Sequence, residues 1–89
     1  MEFEWSEEMR LSTLEVRGID FVDMQDLFDG RLVLTYDSPR GAEQRWITIG
    51  KIDGKFYAVV WTVRIDRIRI ISARRARHGE EGRYRMLYD

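Results

Sequence analysis

Hydrophobic and polar residues recur along this chain with two different periods, and the change between them divides it. Ser6 stands before Glu7 and Glu8, an N-cap followed by acids that suit the positive end of a helix. Met9, Thr13 and Val16 then share a face with Leu11 and Leu14 beside it, and Gly18 offers a left-handed stop. This pattern predicts a helix over about 7–17. Asp20 is the next N-cap, and Phe21, Met24, Leu27 and Phe28 recur at helical spacing as far as Gly30. The short link between the two segments predicts a tight helical hairpin. Ahead of both, "FEW" at 3–5 is long enough only for a small edge strand or an anchor.

From Arg31 the period becomes two. Leu32, Leu34 and Tyr36 alternate with Val33 and Thr35 in a first strand that "DSPRG" at 37–41 ends. Arg45, Ile47 and Ile49 alternate with Trp46 and Thr48 in a second. Asp53-Gly54 is the pair a type I′ hairpin favours, because both central positions need positive φ. "FYAVVWTV" at 56–63 is apolar on both faces, as a central strand covered on each side should be. A turn near Ile65-Asp66 leads into a last strand, Arg67 to Ser72. Residues 74–88 read as a C-terminal helix, although Gly79 and Gly82 each weaken it by about 1 kcal/mol relative to alanine. Consecutive strands with short connections make an antiparallel meander. The expected fold is α+β: two N-terminal helices packed on a four-stranded antiparallel sheet with a short C-terminal helix, in one domain over 1–89.

At 89 residues such a domain has little core to spare. A hydrophobic content of 44%, with three tryptophans, four tyrosines and four phenylalanines, excludes a disordered chain. The absence of cysteine excludes disulfides, zinc-thiolate sites and thiol nucleophiles. "MEFEWSEEMR" is acidic where a secretory signal would be basic and then apolar, and no apolar run approaches the roughly 20 residues that span a bilayer. A cytoplasmic protein is expected. The net charge of −1 conceals an asymmetry: residues 1–39 carry three bases against ten acids, and residues 40–89 twelve bases against six. The basic half suits a polyanion.

Its densest stretch is "RIDRIRIISARRAR" at 64–77, six arginines with one acid. Arg67 and Arg69 share one face of the last strand while Ile68 and Ile70 take the other, apolar side under the helices. Arg64 before them, and Arg74, Arg75 and Arg77 after, widen an open guanidinium surface that suits phosphate. The bland alternative is a solvated face paired with Asp66, Glu43 or Glu80. Trp46, Trp61 and Tyr57 lie on adjacent strands and offer either a stacking platform for bases or core packing, and Trp5 suits an anchor for the first helix. His78, the lone histidine, lies in the basic tail and provides no metal constellation. Phosphate loops, dinucleotide fingerprints and nucleophile elbows are all absent.

Taken in order, "FEW", the helix closing at Gly18, "RWITIG" at 45–50, the Asp-Gly hairpin and above all "RIRIISARRA" at 67–76 resemble the BrnT toxins of bacterial type II toxin-antitoxin systems. The resemblance implies a RelE-like fold and a metal-independent ribonuclease, without cofactor, that stops translation by cutting RNA. It also implies a BrnA-type ribbon-helix-helix antitoxin, in a complex with two copies of each protein, with operator DNA bound only through the antitoxin. Members usually read Lys-His-Gly where this chain has Val16-Arg17-Gly18; Glu80 and Tyr84 are kept in the tail, while Glu81 and Arg85 stand where opposite charges are usual. Arg17 keeps the positive charge but exchanges no proton near neutral pH. On this basis Arg64, Arg69 and Arg74 are expected to stabilise the phosphorane as the 2′-hydroxyl attacks the adjacent phosphate. Glu80 and Tyr84 complete the expected catalytic set, with Lys51 and His78 as further candidates for proton transfer. Arg45, Lys51, Arg67, Arg75 and Arg77 are expected to hold neighbouring phosphates. The rival expectation, drawn from the Arg17 replacement and the glycine-broken tail, is an inactive module of the same fold that still docks an antitoxin or nucleic acid.

Overall fold

A computed structural model describes residues 2–39 and 41–88; Arg40, within the predicted "DSPRG" turn, lies outside the described residues. Strand β1 (Glu2–Trp5) leads into helix α1 (Glu7–Arg17). The caps of α1 are those its sequence predicts: Ser6 accepts the Met9 N–H, and Gly18, at φ 69°, donates to the Leu14 carbonyl. Arg10 donates to both oxygens of Asp20, at 2.8 and 3.1 Å, which ties α1 to the start of the next helix. That guanidinium and the Val22 N–H together hold the Asp20 carboxyl below its usual range.

The second predicted helix is split. α2 (Phe21–Met24) gives way to a 3₁₀ turn over Gln25–Phe28. Phe21, Met24 and Leu27 recur every third residue, which is the 3₁₀ period, and all three are buried. Leu27 seats against Gly50, where an added Cβ would stand 2.7 Å from Leu27 Cδ2.

Strands β2 (Leu34–Asp37), β3 (Trp46–Ile52), β4 (Lys55–Arg64) and β5 (Arg67–Arg75) form the expected meander, with β2 starting at Leu34 instead of Leu32, where its alternation begins. The four-stranded antiparallel sheet must, however, be corrected to five strands in the order β1-β5-β4-β3-β2, with β1 parallel to β5. The last strand also runs past Ser72 to Arg75, so α3 (His78–Tyr88) starts later than expected. The ladder continues because Arg74 and Arg75 still pair with Ala58 and Tyr57. Between them lies a bulge: Val60 faces Ser72 and Trp61 faces Ile70, leaving Ile71 as the extra residue. The β3–β4 hairpin has φ 51° at Asp53 and 79° at Gly54, as a type I′ turn requires.

Both faces of β4 are covered, as its continuous apolar run predicts. On one face Ile19, Phe21, Met24 and Leu27 pack over Val59, Ile70 and Ala73. On the other, Tyr84 of α3 closes over Ile49, Phe56 and Ala58. Trp46 and Trp61 stack on each other at 4.8 Å, Phe28 stands edge-on to Trp61, and the Trp61 indole N–H donates to Thr48. Trp61 packs against the first core, and Trp46 covers Trp61. Trp5, expected as an anchor for the first helix, meets Phe21 of α2 edge-on and packs on the first core, while its indole N–H donates to Glu7 at the start of α1. No helix among the described residues is long and apolar enough to cross a membrane.

Candidate nucleic-acid interface

Helix α3 covers only part of the second face of the sheet, and the remainder carries two adjoining concavities. The larger, about 310 Å³, is floored by Ile47, Val60, Ile71 and Ser72 and ringed by Arg17, Arg45, Arg74 and Arg77, with Ser38 at its margin. Its neighbour, about 300 Å³, is lined by Arg64, Arg69, Glu43, Ser6, Met9 and Ile70, and shares Arg45 and Ile71 with the first. The floor follows from strand register. Ile47 faces Val60 across β3–β4, and Val60 faces Ser72 across β4–β5, so the three side chains share a face. Arg74 is two residues beyond Ser72 and rises on that same side.

Arg17 arrives from another direction. β1 pairs with β5 only as far as Ile70, so beyond it β5 has no strand on that side. The last turn of α1 lies there, and Arg17 Nη1 donates to the Ala73 carbonyl at 2.8 Å. Opposite, the Ser38 N–H donates to the Arg45 carbonyl at 2.9 Å and closes the loop that carries both residues.

The expected bare guanidinium face is corrected by the carboxylates around it. β1 places Glu2 beside Arg67 and Glu4 beside Arg69, and Arg69 Nη1 donates to Glu4 at 2.9 Å while Arg67 stands 3.7 Å from Glu2. Glu43 serves two arginines, Arg64 at 3.2 Å and Arg45 at 3.5 Å, and Arg45 Nε is buried without a partner among the described residues. Of the three carboxylates named from sequence, Glu43 and Glu80 do pair with arginines.

Glu80 is the most committed. Arg74 donates to its two oxygens at 2.8 and 2.9 Å, Tyr36 Oη donates at 2.8 Å, and the Arg77 backbone N–H donates at 2.7 Å. The last of these is half a capping box, a third-position glutamate reaching back to the start of α3. The Arg74 fork outweighs burial, which alone would raise the Glu80 carboxyl, and lowers it to about 2. Burial and the facing carboxylate push the Tyr36 phenol up.

Of the expected site residues, Arg45, Arg64, Arg69, Arg74 and Arg77 thus converge on the two concavities. Arg67 lines neither. Arg75 is turned to the opposite face by the bulge, where its Nε donates to the Phe56 carbonyl and its guanidinium lies over Tyr57. Lys51 lies over the Phe56 ring. Tyr84 is buried edge-on to Phe56 with its hydroxyl donating to the Leu32 carbonyl, and His78 is exposed at the start of α3. Sequence reasoning missed Arg17, Ser38 and Ser72 as lining residues; the only signal for Arg17 was its departure from the Lys-His-Gly pattern. Among the described residues no group of three or more His, Asp or Glu is placed to hold a metal ion.

Residues 5–80 match a family model described as the ribonuclease toxin BrnT of type II toxin-antitoxin systems. The match takes in every arginine of both concavities. No curated protein matches the chain.

Proposed function

This chain belongs to the BrnT family of type II ribonuclease toxins, and from that premise we propose that its two arginine-lined concavities bind and cleave RNA. The observation that carries the reading is the convergence of Arg17, Arg45, Arg64, Arg69, Arg74 and Arg77 on two hollows that share Arg45. Attack of a ribose 2′-hydroxyl on the adjacent phosphate adds negative charge to the phosphorane, and planar guanidinium forks are suited to meet it. Ile47, Val60 and Ile71 offer an apolar floor for a ribose or base beside those donors. With cations already supplied by side chains, the reaction needs no metal, and loss of RNA stops translation. On this reading the five-stranded mixed sheet and its helices are a RelE-like fold. The partner expected for such a toxin is a BrnA-like ribbon-helix-helix antitoxin, in a complex of two copies of each, through which alone operator DNA is bound.

One observation favours the second reading, an inactive module that docks antitoxin or nucleic acid. Glu80 and Tyr84 are both tied into structural hydrogen bonds, so neither is poised to carry a proton. Induction without the antitoxin, followed by growth and RNA integrity, separates the two. The ribonuclease reading expects growth arrest, RNA breakdown that survives chelator in the purified reaction, and about a hundredfold loss of rate in Arg45→Ala or Arg69→Ala. Binding of RNA with no breakdown would establish the inactive module instead.

A further inference from the structure

We propose that Arg17 contacts the scissile phosphate as a catalytic residue, and that cleavage here uses solvent hydroxide instead of a side-chain proton carrier. This rests on the reading of the larger concavity as an RNA-cleaving site. Four of the six arginines in the two hollows already face a carboxylate: Arg45 and Arg64 face Glu43, Arg69 faces Glu4, and Arg74 faces Glu80. Arg17 faces none among the described residues. Its Nη1 is engaged by the Ala73 carbonyl, which fixes the guanidinium at the rim and leaves the rest of the fork for a ligand. An uncompensated, anchored guanidinium is the arrangement that stabilises charge developing on a phosphate oxygen.

The groups facing Arg17 carry the second half of the proposal. They are Arg45 from the start of β3, Arg74 from β5 and Arg77 from the link to α3, with the hydroxyls of Ser38 and Ser72. Behind them stand Glu43 on Arg45 and Glu80 on Arg74. Arginine keeps its proton and the hydroxyls do not titrate near neutrality, and both carboxylates are engaged by guanidiniums. The 2′-oxygen therefore gives its proton to hydroxide and forms the new bond to phosphorus. The bond from phosphorus to the 5′-oxygen breaks, and that oxygen takes a proton from water. The products are a 2′,3′-cyclic phosphate and a 5′-hydroxyl, and Arg17 stays charged throughout.

The test is a single-turnover pH–rate profile on a short RNA with the wild type, Arg17→Gln and Arg17→Lys, alongside binding of the uncleavable all-deoxy strand and a thermal melt. Arg17 is exposed at the end of α1, so losing its bond to Ala73 is expected to shift the melt only slightly. The expected wild-type log rate rises linearly with pH with no bend between about 5 and 9. Arg17→Gln should lose about a hundredfold in the cleavage step with little change in strand binding, and Arg17→Lys should recover part of it. A bell-shaped wild-type profile, or Arg17→Gln cleaving at the wild-type rate, overturns the proposal and leaves the RNA-cleaving site standing. A wild type that binds the strand but cleaves no RNA overturns the underlying reading as well.

Discussion

Exchanging Glu80 for glutamine removes one negative charge and almost nothing of the side chain's volume. What it breaks is the junction of β2, β5 and α3, because Tyr36, Arg74 and the Arg77 N–H all converge on that carboxylate. A glutamine amide turned toward Arg74 sets donor against donor. In the fold the carboxyl is lowered to about 2 from an ordinary value of 4.5, and at ~1.4 kcal/mol per pH unit the gap corresponds to about 3 kcal/mol. Breaking a buried ion pair by removing one partner costs a similar 3–5 kcal/mol or so. A chain of this length has a total stability of roughly 4–13 kcal/mol, so the loss is a substantial part of it.

The sign follows from the direction of the shift. A carboxyl lowered by folding stabilises fully above its unfolded value near 4.5, and the contribution is lost as the pH falls from there to about 2. Urea unfolding followed by circular dichroism, at steps from pH 7 down to pH 2, measures it in wild type and Glu80→Gln. The expected difference is about 3 kcal/mol at pH 7, closing below pH 4.5 and vanishing near 2. Asp20 and Asp29 are also held low, by Arg10 and Arg31, but they are present in both chains and cancel in the difference. A difference that stays constant across the range, or is absent at pH 7, would refute the assignment of Glu80 as a buried, ionised clasp.

Gly50→Ala sets a Cβ 2.7 Å from Leu27 Cδ2 and 3.0 Å from Val33 Cγ1, and overpacking of this kind should cost about 1–3 kcal/mol. A melting temperature equal to the wild type's would show that Leu27 shifts freely. Tyr84→Phe keeps the ring against Phe56 and loses only the bond to Leu32, so about 1 kcal/mol of stability should go while the RNA cleavage rate holds. A large fall in rate with stability intact would place that hydroxyl in the reaction. Glu4→Gln removes the carboxylate that competes for Arg69, which should tighten binding to single-stranded RNA with little change in its dependence on log salt; a slope steeper by about 0.7 would mean that Glu4 keeps Arg69 from phosphate in the wild type.

How far the sequence could be read depended on distance along the chain and on parity. The caps of α1, the Asp53-Gly54 turn and the two-faced β4 are local features, and each is where its residues predict. β1 is different: four residues with no turn signal, pairing with a strand more than sixty positions away. That pairing alone brings Glu4 beside Arg69, so Glu4's share in neutralising the arginine face was invisible, while Glu43 and Glu80 were among the carboxylates the sequence suggested. The bulge at Ile71 did the rest. Strict alternation from Arg67 and Arg69 would carry Arg75 to their face and Arg74 to the core side. One inserted residue reverses both, sending Arg74 into the larger concavity and Arg75 over Tyr57. The candidate site was thus legible in five of its six arginines, while its floor, the place of Arg17 and the exclusion of Arg67 and Arg75 were not.

The carboxylates around the site also decide which arginines can act as ligands. Arg64 and Glu43 keep 53% and 33% of their side-chain surface exposed, and Arg69 and Glu4 keep 28% and 26%. Pairs this open contribute ~0–1 kcal/mol and weaken with salt, so a phosphate replaces the carboxylate at little cost. Arg74 and Glu80 keep only 21% and 11% and are joined by two bonds, so that pair does not exchange. Arg74 is held in place as a fixed charge while Arg45, Arg64 and Arg69 are free to trade partners. Six guanidiniums against Glu4, Glu43 and Glu80 leave three positive charges, enough to attract a polyanion but fewer than the arginine count suggests. Counterion release follows phosphates neutralised, so with Arg74 withheld and the other five arginines able to meet phosphate, a salt slope of about −3.5 instead of about −4 on single-stranded RNA is what this pairing implies.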